Sequence, residues 1–135
     1  MQDFIIDKTA VVGENTRYGH FCVFGAAVHI GTGCLIGNNV IIQDGTKIGD
    51  NVRIDDGTVI GKFPMKAANS ATTKDQELPP TIIGSDCIIG TNVVIYRGAE
   101  IGRKVLIADL STVRENVSVG DFTIIGSGVA IENFC

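Results

Sequence analysis

Large apolar residues recur at every sixth position along almost the whole chain. Position two of this hexad, directly after the apolar lead residue, is Gly at twelve places, and position four is Gly at five, which accounts for all 17 glycines. A short fixed period predicts a solenoid in which each hexad is a brief strand followed by a tight turn. The nineteen lead residues are Ile6, Val12, Tyr18, Phe24, Ile30, Ile36, Ile42, Ile48, Ile54 and Ile60, then Ile83, Ile89, Ile95, Ile101, Ile107, Val113, Val119, Ile125 and Ile131.

The other positions of the hexad indicate which side chains face inward. Because side chains alternate along a strand, positions five and one lie on one side and positions six and two on the other. Position five is small or β-branched, which suits an interior, and position four is Gly, Asn or Asp at most places, which suits a left-handed turn. All four cysteines, Cys22, Cys34, Cys87 and Cys135, occupy position five. We therefore interpret them as small core residues and not as a nucleophile, a disulfide or a metal site, and no CxxC spacing supports zinc.

Composition narrows the classes of partner. The 135 residues are 44% hydrophobic but only 6% aromatic, so the core must be filled by aliphatic side chains at regular spacing. The formal net charge of −4 disfavours nucleic acid as a partner. No apolar run approaches the roughly 18 residues that a membrane span requires, and the first residues lack the layout of a signal peptide. We expect a soluble, cytoplasmic protein.

Several hexads match a known motif in full, for example IGTGCL at 30–35, IGNNVI at 36–41 and IGTNVV at 89–94. This motif resembles the hexapeptide repeat of left-handed parallel β-helix acyltransferases. The resemblance implies an all-β fold in which three hexads form one triangular coil, giving about six coils in a single domain over 1–135. The chain ends in mid-hexad without a capping helix, so we expect C-terminal coils or a cap to be missing from it.

Every third hexad belongs to the same face of such a prism. The outward residues of the first face form an apolar stripe, which predicts burial in a homo-oligomer. The resemblance implies that the oligomer is a trimer. The stripe includes Val23, Ile41, Val59 and Val94.

Residues 62–80 interrupt the repeat and hold all three prolines, so we predict a loop that leaves the prism at a corner. Its apolar residues Phe63, Met65 and Leu78 could pack on a neighbouring surface. In the acyltransferases that the chain resembles, such a loop walls an active site between subunits. The resemblance further implies acetyl-CoA as donor, a sugar or nucleotide-linked sugar as acceptor, and a His as general base.

His20 and His29 are the only histidines, and both are candidate bases. We favour His20, at position three on a corner beside the first face, over His29, which points outward from the second face; an ordinary surface role remains open for each. Acetyltransferases of this fold commonly carry the base in coils beyond or beside the loop, yet 81–135 contains no His.

Basic residues near the loop are candidates for contacts with the phosphates of CoA. Lys62 and Arg97 should stack on adjacent coils at the base of the loop, with Lys66 and Arg103 nearby in sequence. A solvated corner without a ligand is the alternative.

Two rival functions share the prism. A γ-class carbonic anhydrase requires three histidines for its zinc, and two cannot complete that set, so we expect no metal. A non-catalytic structural or assembly subunit, using the apolar face and the loop to bind other proteins, stays open.

Overall fold

The computed structural model describes residues 3–65 and 77–133. Its strands occupy positions six and one of the predicted hexads. In chain order they are β1 (Ile5–Ile6), β2 (Val11–Val12), β3 (Arg17–Tyr18), β4 (Val23–Phe24), β5 (His29–Ile30), β6 (Leu35–Ile36), β7 (Ile41–Ile42), β8 (Lys47–Ile48), β9 (Arg53–Ile54), β10 (Val59–Lys62), β11 (Ile82–Ile83), β12 (Ile88–Ile89), β13 (Val94–Tyr96), β14 (Glu100–Ile101), β15 (Leu106–Ile107), β16 (Thr112–Val113), β17 (Ser118–Val119), β18 (Ile124–Ile125) and β19 (Ala130–Ile131).

The strands form three parallel sheets, one for each face of a triangular prism. The first face is β1-β4-β7-β10-β13-β16-β19, the second is β2-β5-β8-β11-β14-β17, and the third is β3-β6-β9-β12-β15-β18. Outside the loop, paired residues are one 18-residue coil apart, as in Ile6 with Phe24. The fold is therefore a left-handed parallel β-helix of about six coils, which confirms the predicted fold class. In the part of the chain that the structure describes, no helix is long and apolar enough to cross a membrane.

Three corners connect the faces, and we name each by the faces that it joins. Corner 1–2 follows the first face, corner 2–3 follows the second, and corner 3–1 follows the third. The corner 3–1 turns comprise residues 19–22, 37–40, 55–58, 90–93, 108–111 and 126–129.

The core is built from positions one and five, as the hexad predicts. Aliphatic lead residues such as Ile42 and Ile95 are fully buried. Cys22, Cys34 and Cys87 are buried among them as free thiols, which confirms their interpretation as core residues; Cys135 lies outside the described residues.

The turns explain why the glycines stand where they do. Position four adopts positive φ, not only at Gly but also at Asn39 and Asn92. Most of the glycines at position two have the next coil directly against the α-carbon. A Cβ on Gly25 would lie 2.1 Å from Asp44 Oδ1, the atom that accepts a 2.8 Å hydrogen bond from the Ala26 N–H. Each coil thus holds the next through a side chain that caps a backbone donor.

Aromatic side chains are concentrated at the N-terminal end of the prism. Phe4 packs edge-to-face on Tyr18 with ring centroids 5.3 Å apart, and Tyr18 packs likewise on Phe24 at 5.5 Å. These rings supply in the first coils the volume that stacked isoleucines supply elsewhere.

The loop leaves the prism one residue later than the predicted 62–80. Strand β10 continues through Lys62, which pairs with Tyr96, after a register shift at Gly61. The hexad resumes at Thr81, a buried residue at position five. The loop therefore departs from corner 1–2 in the middle of the prism.

Candidate active site

His20 lies on corner 3–1, where an acidic residue from the first coil contacts it. Its Nδ1 contacts Asp3 Oδ2. The backbone is fixed on both sides, since the His20 N–H donates to Asn38 Oδ1 at 2.7 Å and its carbonyl accepts from the Asn39 N–H at 2.9 Å. A carboxylate at Nδ1 favours the tautomer with its proton there and leaves Nε2 free to accept a proton. With 70% of its side chain exposed, His20 can reach an external substrate.

Asp3 was missed in the sequence analysis, although a signal for it exists. It stands 18 residues before Phe21, which is one full coil. The coil therefore places Asp3 directly beside the turn that carries His20. The backbone confirms this stacking, because the Asp3 carbonyl accepts a hydrogen bond from the Phe21 N–H.

His29 lies on β5 and points outward from the second face. Its register neighbours on that face are Val11 and Lys47. Within the described residues no carboxylate orients its ring. The structure therefore separates the two histidines, and among the described residues His20 alone has a carboxylate against its ring.

Arg97 ties the two ends of the loop to the prism. Its Nε donates to the Leu78 carbonyl at 3.0 Å and its Nη1 donates to the Asp44 carbonyl at 2.7 Å. Its guanidinium carbon lies 5.0 Å from the centre of the Phe63 ring. The Arg97 N–H also donates to the Lys62 carbonyl at 2.9 Å, so the structure brings these two residues together as expected. The two hydrogen-bond acceptors of the guanidinium are neutral carbonyl oxygens, so these contacts do not neutralise its positive charge.

The other basic residues near the loop in sequence have different surroundings. Arg103 lies on corner 2–3, away from Lys62 and Arg97, with its Nη2 3.8 Å from Asp121 Oδ2. The Arg114 guanidinium pairs with Glu115 at 2.8 Å, and this hydrogen bond raises the pKa of Arg114 above its ordinary value. Lys66 lies outside the described residues.

His20 and the loop base occupy opposite edges of the first face. His20 precedes β4 on corner 3–1, whereas Lys62 and Arg97 lie on corner 1–2 at β10 and β13. Strands β4 and β10 are two coils apart, which is about 10 Å along the prism axis at the spacing of paired strands. One chain therefore does not bring the candidate base and the basic residues into one pocket.

The described residues do not form a cluster of metal ligands. Within residues 3–65 and 77–133, no group of three His, Cys, Asp or Glu residues is arranged to hold an ion. Burial raises the pKa of the Cys22 and Cys87 thiols, so both are held in the neutral form that neither binds metal nor attacks an electrophile.

Two family models match the chain on both sides of the loop. The model described as bacterial transferase hexapeptide (six repeats) matches residues 9–44 and 29–62, and the model described as hexapeptide repeat of succinyl-transferase matches residues 80–108. Both models describe hexapeptide repeats, so the chain carries this repeat on both sides of the loop and is similar to the transferases that share it. A sequence search among curated proteins gave no match.

Solved structures of acyltransferases share the fold. UDP-N-acetylglucosamine O-acyltransferase (LpxA) from Moraxella catarrhalis is 23% identical with a TM-score of 0.73, over 98% of this chain and 60% of that one. GDP-perosamine N-acetyltransferase from Caulobacter crescentus, solved with CoA and GDP-perosamine, is 20% identical with a TM-score of 0.71, over 93% of this chain and 54% of that one. AntD, an N-acyltransferase from Bacillus cereus solved with dTDP and 3-hydroxybutyryl-CoA, is 24% identical with a TM-score of 0.70, over 92% and 76%. The chain spans about three fifths of the length of LpxA.

Proposed function

We propose that the protein is an acyltransferase that moves an acetyl group from acetyl-CoA to an amine or hydroxyl of a sugar or nucleotide-linked sugar. The matches to two models of transferase hexapeptide repeats and the names of the similar structures support the reaction class. The observation that carries the proposal is the contact between His20 Nδ1 and the Asp3 carboxylate on an exposed corner of the prism. This arrangement orients an imidazole for proton transfer from an external nucleophile.

The reaction needs no covalent enzyme intermediate. The acceptor nitrogen or oxygen attacks the thioester carbonyl while His20 Nε2 accepts its proton, and the tetrahedral intermediate collapses by breaking the carbon–sulfur bond. The proton then passes from His20 to the departing CoA thiolate, and an amide or ester remains on the acceptor. Asp3 stabilises the imidazolium that forms between these two proton transfers.

The proposed assembly is a homotrimer with its first faces turned towards a common axis. Val23, Ile41, Val59 and Val94 lie half-exposed in register along that face, which gives it an apolar surface. A threefold arrangement of this kind sets corner 3–1 of one subunit against corner 1–2 of the next. His20 of one subunit and the Lys62–Arg97 pair of its neighbour then line one cleft, which a single chain cannot form.

Lys62 and Arg97 are the proposed contacts for the CoA phosphates in that cleft. Both lie where the loop leaves corner 1–2, and the Arg97 guanidinium is oriented by two carbonyl oxygens that do not neutralise it. Arg103 and Arg114 are less suited, since each is paired with a carboxylate.

Replacing each histidine in turn tests the assignment of the base. We expect His20→Gln to lower kcat by about 10²-fold or more, the usual contribution of a positioned general base, while His29→Gln retains activity. Asp3→Asn should lower kcat less, because the imidazole remains but loses its orienting charge. The assay is release of CoA thiol from acetyl-CoA with a panel of UDP-linked and dTDP-linked amino sugars. Full activity of His20→Gln, or loss of activity in His29→Gln alone, contradicts the assignment.

Charged substitutions on two faces test the proposed trimer. Ile41→Lys places a charge on the first face, and we expect light scattering to report loss of the trimer. Leu35→Lys is the matched control, because Leu35 is an outward residue 55% exposed on the third face. Equal loss in both variants, or in neither, contradicts the interface. Failure of acetyl-CoA to bind an intact trimer would favour a structural subunit instead of an enzyme.

A further inference from the structure

The aromatic residue next to His20 occupies a backbone position that disfavours it. Phe21 stands at position four of its hexad with φ 59°, in the left-handed region. Four of the five equivalent residues on the same corner, Asn39, Gly57, Asn92 and Gly128, are of the types that tolerate this conformation, and Leu110 is the fifth. Asparagine at position 21 would therefore suit the turn better than phenylalanine does.

The ring of Phe21 is also not used by the core. It is 63% exposed on the outside of corner 3–1. The backbone that carries the ring is held in place, because the Phe21 N–H donates to the carbonyl of Asp3, the residue whose carboxylate contacts His20. The centres of the Phe21 and His20 rings are 6.3 Å apart. An exposed aromatic residue with a left-handed backbone thus lies beside the candidate base, and residues in strained backbone conformations cluster at functional sites.

We propose that Phe21 is the platform on which the hexose ring of the acceptor stacks, so that it determines specificity for a sugar. This inference rests on the proposed function and names a residue for acceptor recognition. The apolar C–H face of a hexose can cover an aromatic ring and remove it from water. A sugar on Phe21 lies beside His20, so a ring substituent can reach Nε2. In a nucleotide-linked sugar, two phosphates separate the nucleobase from the hexose. The hexose is therefore nearer than the nucleobase to the group that reacts.

Phe122 provides a matched control for a substitution at Phe21. It also stands at position four with positive φ, at 65°, and is 66% exposed, but it lies on corner 2–3 beneath Lys104. We expect Phe21→Asn and Phe122→Asn both to raise Tm by about 3 °C, because asparagine relieves the strain. Only Phe21→Asn should raise the KM for the sugar acceptor, by about 10-fold, with little change in kcat and none in the KM for acetyl-CoA. Phe21→Tyr should restore the acceptor KM.

A binding measurement separates failure of this inference from failure of the proposed function. Saturation-transfer NMR with UDP-N-acetylglucosamine as probe should show transfer to the hexose protons in the wild type and in Phe122→Asn, and a large loss of it in Phe21→Asn. Sugar contact that depends on Phe21 without any acyl transfer would support the platform and refute the reaction. The platform would be overturned if the wild type shows no transfer to the hexose, or if the acceptor KM is unchanged in Phe21→Asn. It would also be overturned if the trimer dissociates in Phe21→Asn alone, because Phe21 would then be a subunit contact.

Discussion

Thr46→Val should stabilise the protein, although Thr46 is completely buried in the core. Among the described residues, the hydroxyl oxygen of Thr46 has no hydrogen-bond partner. The other buried hydroxyls at position five donate to the carbonyl of a position-two residue, as Thr58 does to Gly90 at 2.6 Å. The corresponding carbonyl for Thr46 belongs to Gly61, where the chain departs from the regular coil.

The loop is the physical reason that Thr46 lacks its partner. Gly61 has φ 89°, and it is the only position-two glycine with positive φ. The strand register shifts between Ile60 and Lys62 as the chain turns into the loop. A Cβ placed on Gly61 would lie 2.8 Å from Thr46 Oγ1, so the hydroxyl faces the α-carbon of Gly61. The hydroxyl therefore bears the desolvation penalty without the bond that offsets it.

The expected changes in the free energy of unfolding have opposite signs at Thr46 and Thr58. A buried hydroxyl without a partner destabilises by about 1–3 kcal/mol, and valine removes that penalty while keeping the shape of the side chain. Thr58→Val is the control, because it loses the bond to Gly90 and also leaves the Val93 N–H, which donates to Thr58 at 3.2 Å, without an acceptor. We expect Thr58→Val to destabilise by about 1–3 kcal/mol.

Thermal unfolding followed by circular dichroism resolves this difference. At this chain length 1 kcal/mol corresponds to a shift in Tm of about 3–4 °C, so Thr46→Val should melt well above Thr58→Val. Both variants must be compared at one protomer concentration, because the Tm of an oligomer depends on it. Equal destabilisation by the two substitutions would refute the reasoning, since it would mean that the Thr46 hydroxyl has a partner in solution.

Two further predictions concern the packing of the coils. Gly25→Ala should destabilise by about 1–3 kcal/mol in chemical denaturation because its Cβ would lie 2.1 Å from Asp44 Oδ1, whereas Gly126→Ala, whose Cβ would meet only Val129 at 3.9 Å, should be close to neutral. The Cys22 and Cys87 thiols should resist alkylation in the native protein when peptides are mapped by mass spectrometry, because burial raises their pKa. Rapid alkylation of either thiol at neutral pH would contradict this burial. Because the pKa of each thiol is raised in the folded state, its contribution to the stability of the fold is complete below the ordinary thiol pKa of 9.0 and is lost as pH rises through the folded-state pKa.

The fold could be predicted because each level of the sequence gives the same answer. The lead residues fix the strands, position five fixes the inward side, and Gly, Asn or Asp at position four fixes the turns. The 18-residue coil then follows from the resemblance to the family. Lys62 shows where this reasoning fails: the bulge that carries β10 through it depends on how the loop departs, and 62–80 has no repeat register from which to infer that geometry.

The candidate site was less accessible because it depends on contacts between coils. His20 could be selected from its corner, but its partner Asp3 is seen only when the chain is read in steps of 18 residues instead of six. Arg97 was correctly placed beside Lys62, yet its contacts with the Leu78 and Asp44 carbonyls depend on where the loop returns. Sequence proximity alone also grouped Arg103 with these residues, whereas the coil places it on another corner.

Departures from the repeat carry more functional information than its regular positions. In a solenoid every hexad adopts the same backbone conformation and packing. A residue that is unfavourable in that conformation therefore needs another explanation. Gly61 departs from the rule for position two, and the loop leaves the prism there. Phe21 departs from the rule for position four, and it adjoins the His20–Asp3 pair. Leu110, at position four on the same corner with φ 64° and 64% exposed, is a third departure, and in the proposed trimer it would line the same cleft nearer to the level of the loop base. Phe122 and Lys104 depart from the same rule on corner 2–3, so a departure alone does not indicate a site; Phe21 is distinguished by the His20–Asp3 pair beside it, and Gly61 by the loop that leaves the prism there.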